Sequence, residues 1–228
     1  PSRDTVLTFN NLIRQTIFVK VMGDMLARLE RAYGQPIDTE FTARIEDGGV
    51  RVNLVQCRPM WLPGSSGPVQ MPKRIDEEDV LFRSNRLVCG GVVRNIRYIV
   101  YIDPRKYAQI AEPQTKATLG RLVGKLNRHE KMIEGKVLMM GPGRWGSSNI
   151  DLGVNVVYGD IDNAEVLVEI AREEEGHVPE VSYGTHFFQD LVEAQIIYLP
   201  VYPGDPEADF NEEFFEKARN VLTEFFPE

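Results

Sequence analysis

The sequence contains few of the features that would place it in a specialised class of protein. Its 228 residues include only two cysteines, Cys57 and Cys89, which are too few for a disulfide scaffold and lack the spacing of metal ligands. It has no apolar run of the roughly 18 residues that a membrane helix needs, and no signal peptide opens it. We therefore expect a reduced, cytoplasmic setting and no membrane partner.

Positive charge is also scarce. The chain has 26 Lys and Arg residues against 34 Asp and Glu residues, which gives a formal net charge of −8. Binding to nucleic acid requires concentrated Lys and Arg, so we expect no nucleic-acid partner. An acidic total is still compatible with a local basic pocket for ATP or another small anion.

The first 60 or so residues are patterned as a long helix followed by a hairpin. Apolar residues at three- and four-residue steps predict an amphipathic helix over residues 4–33, and Gly34 is a natural stop. Two short strand-like runs, 37–45 and 50–57, are separated by Glu46-Asp47-Gly48-Gly49. Because tight hairpin turns need positive φ, this Asp-Gly-Gly sequence predicts an antiparallel hairpin.

A segment rich in proline and glycine, 59–73, predicts a linker and a boundary near residue 75. We assign residues 1–62 to one domain, 63–78 to the linker and 79–228 to a second domain. In that domain, the patterns predict strands at 87–93, 96–102, 136–140, 163–172 and 195–201, and helices at 115–131 and 211–226. Strands mixed with helices indicate an α/β or α+β fold.

Three polar residues of the predicted hairpin suit a magnesium polyphosphate. Glu40 lies in the first strand, and Gln56 and Arg58 lie two residues apart in the second, so that they share a face. Carboxylate and amide oxygens suit Mg²⁺, which keeps phosphate oxygens among its ligands. The guanidinium fork of arginine suits a terminal phosphate.

This segment resembles the end of the ATP-grasp nucleotide-binding domain of phosphoenolpyruvate synthases and pyruvate, phosphate dikinases. The resemblance covers about a quarter of the chain and is carried by Tyr33-Gly34, by Pro36-Ile37-Asp38-Thr39-Glu40-Phe41 and by Gln56-Cys57-Arg58-Pro59. Thr39 and Phe41 stand where the family has Ile and Trp, and both residues still suit a strand.

The resemblance implies roles for three residues and implies ATP and Mg²⁺ as cofactors. Glu40 would be a metal ligand, Gln56 the second metal-side residue, and Arg58 the catalytic contact to the transferred phosphate. Asp38 also matches the family pattern, and we assign it a packing or hydrogen-bonding role.

The family's other parts do not occur in this sequence. Its adenine pocket would precede residue 1, and neither its phosphohistidine motif nor its phosphoenolpyruvate barrel is recognisable. The chain also begins with Pro1 rather than methionine. We therefore expect a fragment of an ATP-dependent phosphotransferase, inactive alone, whose phosphate acceptor is pyruvate, a relay molecule or water.

A glycine-rich loop, Gly141-Pro142-Gly143-Arg144-Trp145-Gly146-Ser147-Ser148, follows the strand predicted at 136–140. Its Gly-x-Gly-x-x-Gly pattern is typical of dinucleotide-binding folds, but residues 149–153 are loop formers where that fold needs a helix. Two interpretations stay open. The loop binds an anion through its amides, Arg144, Ser147 and Ser148, or it is a tight turn over which Trp145 packs.

Further along, Ser182 or Thr185 is suited to cap a short helix. His186 is the side chain of this domain best suited to titrate near neutral pH, and we expect it to line a pocket or to be a hydrogen-bonded core histidine. His129 and His177 are expected to be solvated. The Gly-Arg-Trp-Gly-Ser and Gly-Thr-His-Phe-Phe-Gln segments together resemble uncharacterised phosphoenolpyruvate-synthase-like proteins, a resemblance that supplies no chemistry.

Two other functions stay open. In the first, the second domain is a regulatory module that senses a small anion through Arg144, Ser147 and His186. Alternatively, the chain has an assembly role, in which its long first helix drives homo-oligomerisation.

Overall fold

The computed structural model of the chain describes residues 8–46, 49–59, 72–87, 91–172 and 179–226. The chain divides into two compact units, Pro1–Leu62 and Pro63–Glu228. The first contains a two-stranded antiparallel sheet and the second a four-stranded sheet, so the predicted α/β (α+β) class is confirmed. None of the helices in these ranges has the length and apolar character that a membrane crossing requires.

The first unit is built from two helices and a hairpin: α1 Asn10–Gln15, α2 Phe18–Tyr33, β1 Ile37–Glu46 and β2 Gly49–Pro59. The long helix predicted over residues 4–33 is broken at Thr16. The Thr16 hydroxyl donates to the carbonyl of Leu12 at 2.5 Å and accepts from the amide of Phe18 at 3.1 Å, which ends one helix and begins the next. Residues 4–7 lie outside the described ranges.

The predicted stop of the second helix and the predicted hairpin are both confirmed. Gly34 has φ 72° and donates its amide to the carbonyl of Glu30, the left-handed ending that glycine favours. Strands β1 and β2 pair antiparallel along their length. The middle of the predicted turn, residues 47–48, lies outside the described ranges.

The second unit alternates strands and helices: β3 Ile96–Tyr101, α3 Pro104–Ala108, α4 Pro113–Asn127, α5 Glu130–Glu134, β4 Lys136–Pro142, β5 Ala164–Ile170, α6 His186–Glu193, β6 Ile197–Val201 and α7 Glu212–Lys217. Short 3₁₀ helices span Glu77–Asp79, Tyr158–Asp160 and Leu222–Glu224. The strands predicted at 96–102, 136–140, 163–172 and 195–201 are thus confirmed.

The strands of the second unit follow one another in chain order, β3-β4-β5-β6, and all pair in parallel. Both faces of this sheet are buried, as parallel sheets require. Val137 and Met139 pack with α4, α5 and α6 on one face. Leu138 and Met140 pack on the other face, against Phe82 and Phe215 among others. The carboxyl ends of all four strands therefore meet at one edge of the sheet.

The prediction of a strand at 87–93 is wrong for the residues of this segment that the structure describes. Residues 88–90 lie outside the described ranges, and Gly91–Val93 form no strand. Val93 instead packs on the second face of the sheet, and a Cβ on Gly91 would come within 2.4 Å of the Ile197 side chain. Val93 thus covers the sheet instead of extending it.

Two predicted helices are shorter than expected. The helix predicted at 115–131 ends at Asn127, and His129 then caps α5 by accepting from the amide of Lys131. The helix predicted at 211–226 ends at Lys217. Beyond it, the ring of Phe225 is buried edge-on against Tyr98, 5.3 Å away, which requires the chain to turn inward.

Candidate functional site

The hairpin brings four polar side chains onto one face. In the register of β1 and β2, Asp38 lies opposite Arg58 and Glu40 lies opposite Gln56. Directly opposed residues share a face, and so do residues two apart on one strand. Glu40, Gln56 and Arg58, the residues expected to contact magnesium and phosphate, are thus neighbours on one surface, together with Asp38.

This polar surface faces away from helix α2. The ring of Phe41 contacts the ring of Phe18 in α2 at 5.9 Å between centroids. Because side chains alternate along a strand, Asp38 and Glu40 point to the face opposite Phe41. The register also shifts between Glu40 and Phe41, and such bulges increase the local twist of a hairpin.

Exposure divides the four residues into two pairs. Glu40 and Gln56 are exposed, whereas the side chains of Arg58 and Asp38 are 25% and 32% exposed. The Nε of Arg58 lies 3.4 Å from Oδ2 of Asp38, which orients the guanidinium. In the described ranges, no group of three or more His, Cys, Asp or Glu residues is suited to hold a metal ion. A magnesium ion at this surface would therefore take part of its coordination from phosphate and water.

The glycine-rich loop after β4 is held by its own contacts. Trp145 is fully buried in the core, as the packing interpretation predicts. Arg144 donates to Oε2 of Glu180 at 3.1 Å. The Ser147 hydroxyl accepts from the amide of Asn149 at 3.1 Å. The main-chain carbonyl of Ser147 accepts from Nδ2 of Asn155 at 2.9 Å. Arg144 and Ser147 therefore make contacts that fix the loop.

The histidines lie in environments different from those expected. His186 is exposed at the first position of α6, so the core-histidine interpretation is wrong. Thr185 is the cap of that helix, accepting from the amide of Phe188 at 3.2 Å. His129 is half-buried rather than solvated, with its ring 4.9 Å from that of Phe225. His177 lies outside the described ranges.

The sequence-based reasoning missed a buried carboxylate at the centre of the second unit. Glu169 on β5 has 0% exposure. Its Oε1 accepts from the Trp145 amide at 2.7 Å and lies 2.6 Å from the Ser182 hydroxyl. Its Oε2 accepts from the Ser182 amide at 2.6 Å and from the Tyr198 hydroxyl at 2.7 Å. The only signal in the sequence is a glutamate inside the apolar run Val166-Leu167-Val168-Glu169-Ile170.

Burial, and not hydrogen bonding, is what favours the protonated form of Glu169. The single proton of the Ser182 hydroxyl faces two acceptors, Oε1 of Glu169 and the carbonyl of Trp145, which is 2.8 Å away. A protonated Glu169 donates to Ser182, which then donates to Trp145, so that every group is satisfied. Burial raises the pKa of Glu169, against the lowering effect of its hydrogen bonds with Ser182, Tyr198 and Trp145.

The stability of the second unit is therefore expected to fall as the pH rises above 4.5, the ordinary pKa of a glutamate. A raised pKa means that the folded state holds the Glu169 proton more tightly than the unfolded state does. This stabilisation is complete below the pKa of the unfolded chain and is lost as the pH rises through the folded pKa. Urea unfolding across this range measures the slope. In Glu169→Gln, which has no proton to lose, the slope should be shallower, and an identical slope in both proteins would contradict a raised pKa.

A second feature missed at the sequence level is a cavity of about 90 Å³ beyond the carboxyl ends of β4 and β5. Its walls include the side chains of Lys116, Tyr107 and Arg172 and the glycines Gly143 and Gly153. Tyr107 is fixed by donation to the carbonyls of Ile150 and Gly153, at 2.9 and 2.7 Å. Burial, with a smaller contribution from Asp151, raises the pKa of Tyr107 to about 12.

Comparison of the chain with protein-family models, with curated proteins and with solved structures found no match in any of the three. The resemblance of about residues 5–61 to an ATP-grasp domain therefore stays a prediction.

Proposed function

We propose that this chain is part of a cytoplasmic, ATP-dependent phosphotransferase, and that the polar face of its hairpin contacts the phosphates of Mg-ATP. The observation that carries the proposal is the hairpin register, in which Asp38 opposes Arg58 and Glu40 opposes Gln56. The resemblance to phosphoenolpyruvate synthases and pyruvate, phosphate dikinases assigns metal and phosphate contacts to Glu40, Gln56 and Arg58, and the register makes them neighbours.

The arrangement suits stabilisation of a phosphoryl group in transfer. Glu40 and Gln56 would offer two oxygen ligands to a magnesium ion whose other ligands are phosphate and water. Arg58, oriented by Asp38, would place its fork on the terminal phosphate and neutralise charge as it develops. The acceptor would be a small molecule such as pyruvate, as the resemblance implies.

Arg58→Gln should weaken the binding of a magnesium polyphosphate by about tenfold or more, since one charge-assisted hydrogen-bonding fork is lost. Magnesium tripolyphosphate is a suitable probe beside Mg-ATP, because it presents the phosphates without requiring an adenine pocket. Isothermal titration calorimetry on the full 228-residue chain, at fixed ionic strength, measures the dissociation constants.

Arg51→Gln is the matched control. Arg51 lies on the same strand as Arg58, seven residues and about 23 Å away, and pairs with Arg44. The Arg51→Gln substitution removes the same charge from the same hairpin, so a loss of general electrostatic attraction would affect both variants alike. Equal weakening in the two variants, or binding of neither probe to the wild-type chain, would contradict the proposed phosphate site.

A further inference from the structure

The cavity lies at the carboxyl ends of β4 and β5. Pro142 and Ile170, the last residues of two neighbouring strands, form part of its wall. In open parallel sheets, ligands bind outside the carboxyl ends of the strands, at the point where the strand order reverses. The order does not reverse in this sheet, so the site is identified by the charges of its wall. The cavity volume, about 90 Å³, equals roughly three water molecules. A group of that size fits, whereas a nucleotide requires a much larger pocket.

Lys116 of α4 brings a buried positive charge to this cavity. Its side chain is only 10% exposed, and its Nζ lies 2.9 Å from Oδ1 of Asp151 and 5.1 Å from the centre of the Tyr107 ring. The Asp151 side chain is 77% exposed, so water solvates one partner of this pair and not the other. A lysine is seldom buried unless something in its surroundings compensates its charge.

Arg172, two residues beyond β5, brings a second positive charge. Its side chain is 21% exposed, and one of its terminal nitrogens donates to Glu212. Glu212 is shared, because Arg105 also pairs with it at 2.7 Å. The Nε of Arg172 is buried and has no hydrogen-bond partner among the described residues. A buried donor left without an acceptor costs free energy, so the described protein groups do not fully satisfy this guanidinium.

We propose that this cavity binds a small oxyanion, namely a phosphate group, between Lys116 and Arg172. Among the described residues, the charged side chains of its wall are two cations and one carboxylate, Asp151. Phosphate oxygens would accept from the guanidinium of Arg172 and from Nζ of Lys116. The described residues of this site belong to the second unit, and it shares no residue with the hairpin surface proposed to contact Mg-ATP. It also differs from the anion site expected from Arg144, Ser147 and His186, because Arg144 and Ser147 contact protein groups.

The test is titration of the full chain with inorganic phosphate, followed by calorimetry and by ³¹P nuclear magnetic resonance. The wild-type chain should bind with a dissociation constant of about 1 mM or tighter, and Arg172→Gln should bind at least about tenfold more weakly. Methyl phosphate distinguishes the source of the group. Equal affinity for methyl phosphate and inorganic phosphate indicates that the ligand is a phosphate group of a larger molecule. Tighter binding of inorganic phosphate indicates that the ligand is the free ion.

Arg144→Gln is the matched control, since it removes the same charge from a half-buried arginine that pairs with Glu180 outside the wall of this cavity. It should leave phosphate binding within about twofold of the wild type. Arg172→Lys guards against misfolding, because it retains the charge while losing the guanidinium fork, and it too should bind more weakly. Equal weakening in Arg144→Gln and Arg172→Gln, or no saturable phosphate binding, would overturn the proposal. The Mg-ATP surface is tested by the pair Arg58→Gln and Arg51→Gln and this site by the pair Arg172→Gln and Arg144→Gln, so the two proposals can fail separately.

Discussion

Replacing Glu169 with alanine is expected to lower the free energy of unfolding of the second unit by about 3–5 kcal/mol. The substitution removes the acceptor of the Trp145 and Ser182 amides and of the Tyr198 hydroxyl, all of which are buried. Each buried donor left unsatisfied costs about 1–3 kcal/mol. Urea unfolding followed by circular dichroism measures the loss.

Glu165→Ala is the control for this prediction. Glu165 lies on the same strand, four residues earlier, and is half-buried rather than buried. Its loss should change the free energy of unfolding by no more than about 0.5 kcal/mol. Glu169→Gln should also destabilise, because each carboxylate oxygen accepts from a main-chain amide and a carboxamide nitrogen cannot. A loss below about 1 kcal/mol in Glu169→Ala would show that the network contributes little.

Gly120→Ala is expected to destabilise the second unit by about 2–3 kcal/mol, although alanine is the better helix former. A Cβ at position 120, inside α4, would lie 2.0 Å from the carbonyl oxygen of Asn155. That oxygen belongs to the main chain, and the Asn155 side chain is itself bonded to the carbonyl of Ser147. The helix must therefore move away from this segment. Thermal unfolding measures the effect.

Gly23→Ala serves as the control, and it is expected to stabilise the protein rather than destabilise it. Gly23 lies inside α2, and a Cβ there would meet nothing within 4 Å. The substitution should stabilise the first unit by up to about 1 kcal/mol, the difference in helix propensity. Because the chain has two compact units, each variant is compared within the transition of its own unit. Stabilisation by both substitutions would contradict the close approach at Gly120.

Local patterns were sufficient to predict the hairpin and most of the parallel strands. The Asp47-Gly48-Gly49 sequence predicted the turn, and the short apolar-rich runs 37–45 and 50–57 on either side of it predicted strands that the structure confirms. The apolar run at 136–140 similarly predicted β4. The shared face of Gln56 and Arg58 also followed from spacing alone, because residues two apart on a strand always point the same way.

What could not be predicted depends on contacts between distant segments. The wall of the cavity joins Lys116 of α4 to Arg172 beyond β5, 56 residues apart in the numbering. Glu169 similarly bonds to Trp145, Ser182 and Tyr198, which lie in separate elements or loops. An apolar run such as 87–93 can either form a strand of the sheet or pack over its face. The sequence pattern alone does not distinguish these two structures.

The chain-order arrangement of the parallel strands has a consequence for synthesis. Each strand can pair with its predecessor as it leaves the ribosome, so the sheet can grow one strand at a time. Glu169 is the exception to this stepwise assembly. Of its four hydrogen bonds, the three from Ser182 and Tyr198 come from segments translated after β5. A nascent chain that ends at Ile170 holds a carboxylate that it cannot yet bury, so docking of β5 must wait for the arrival of β6.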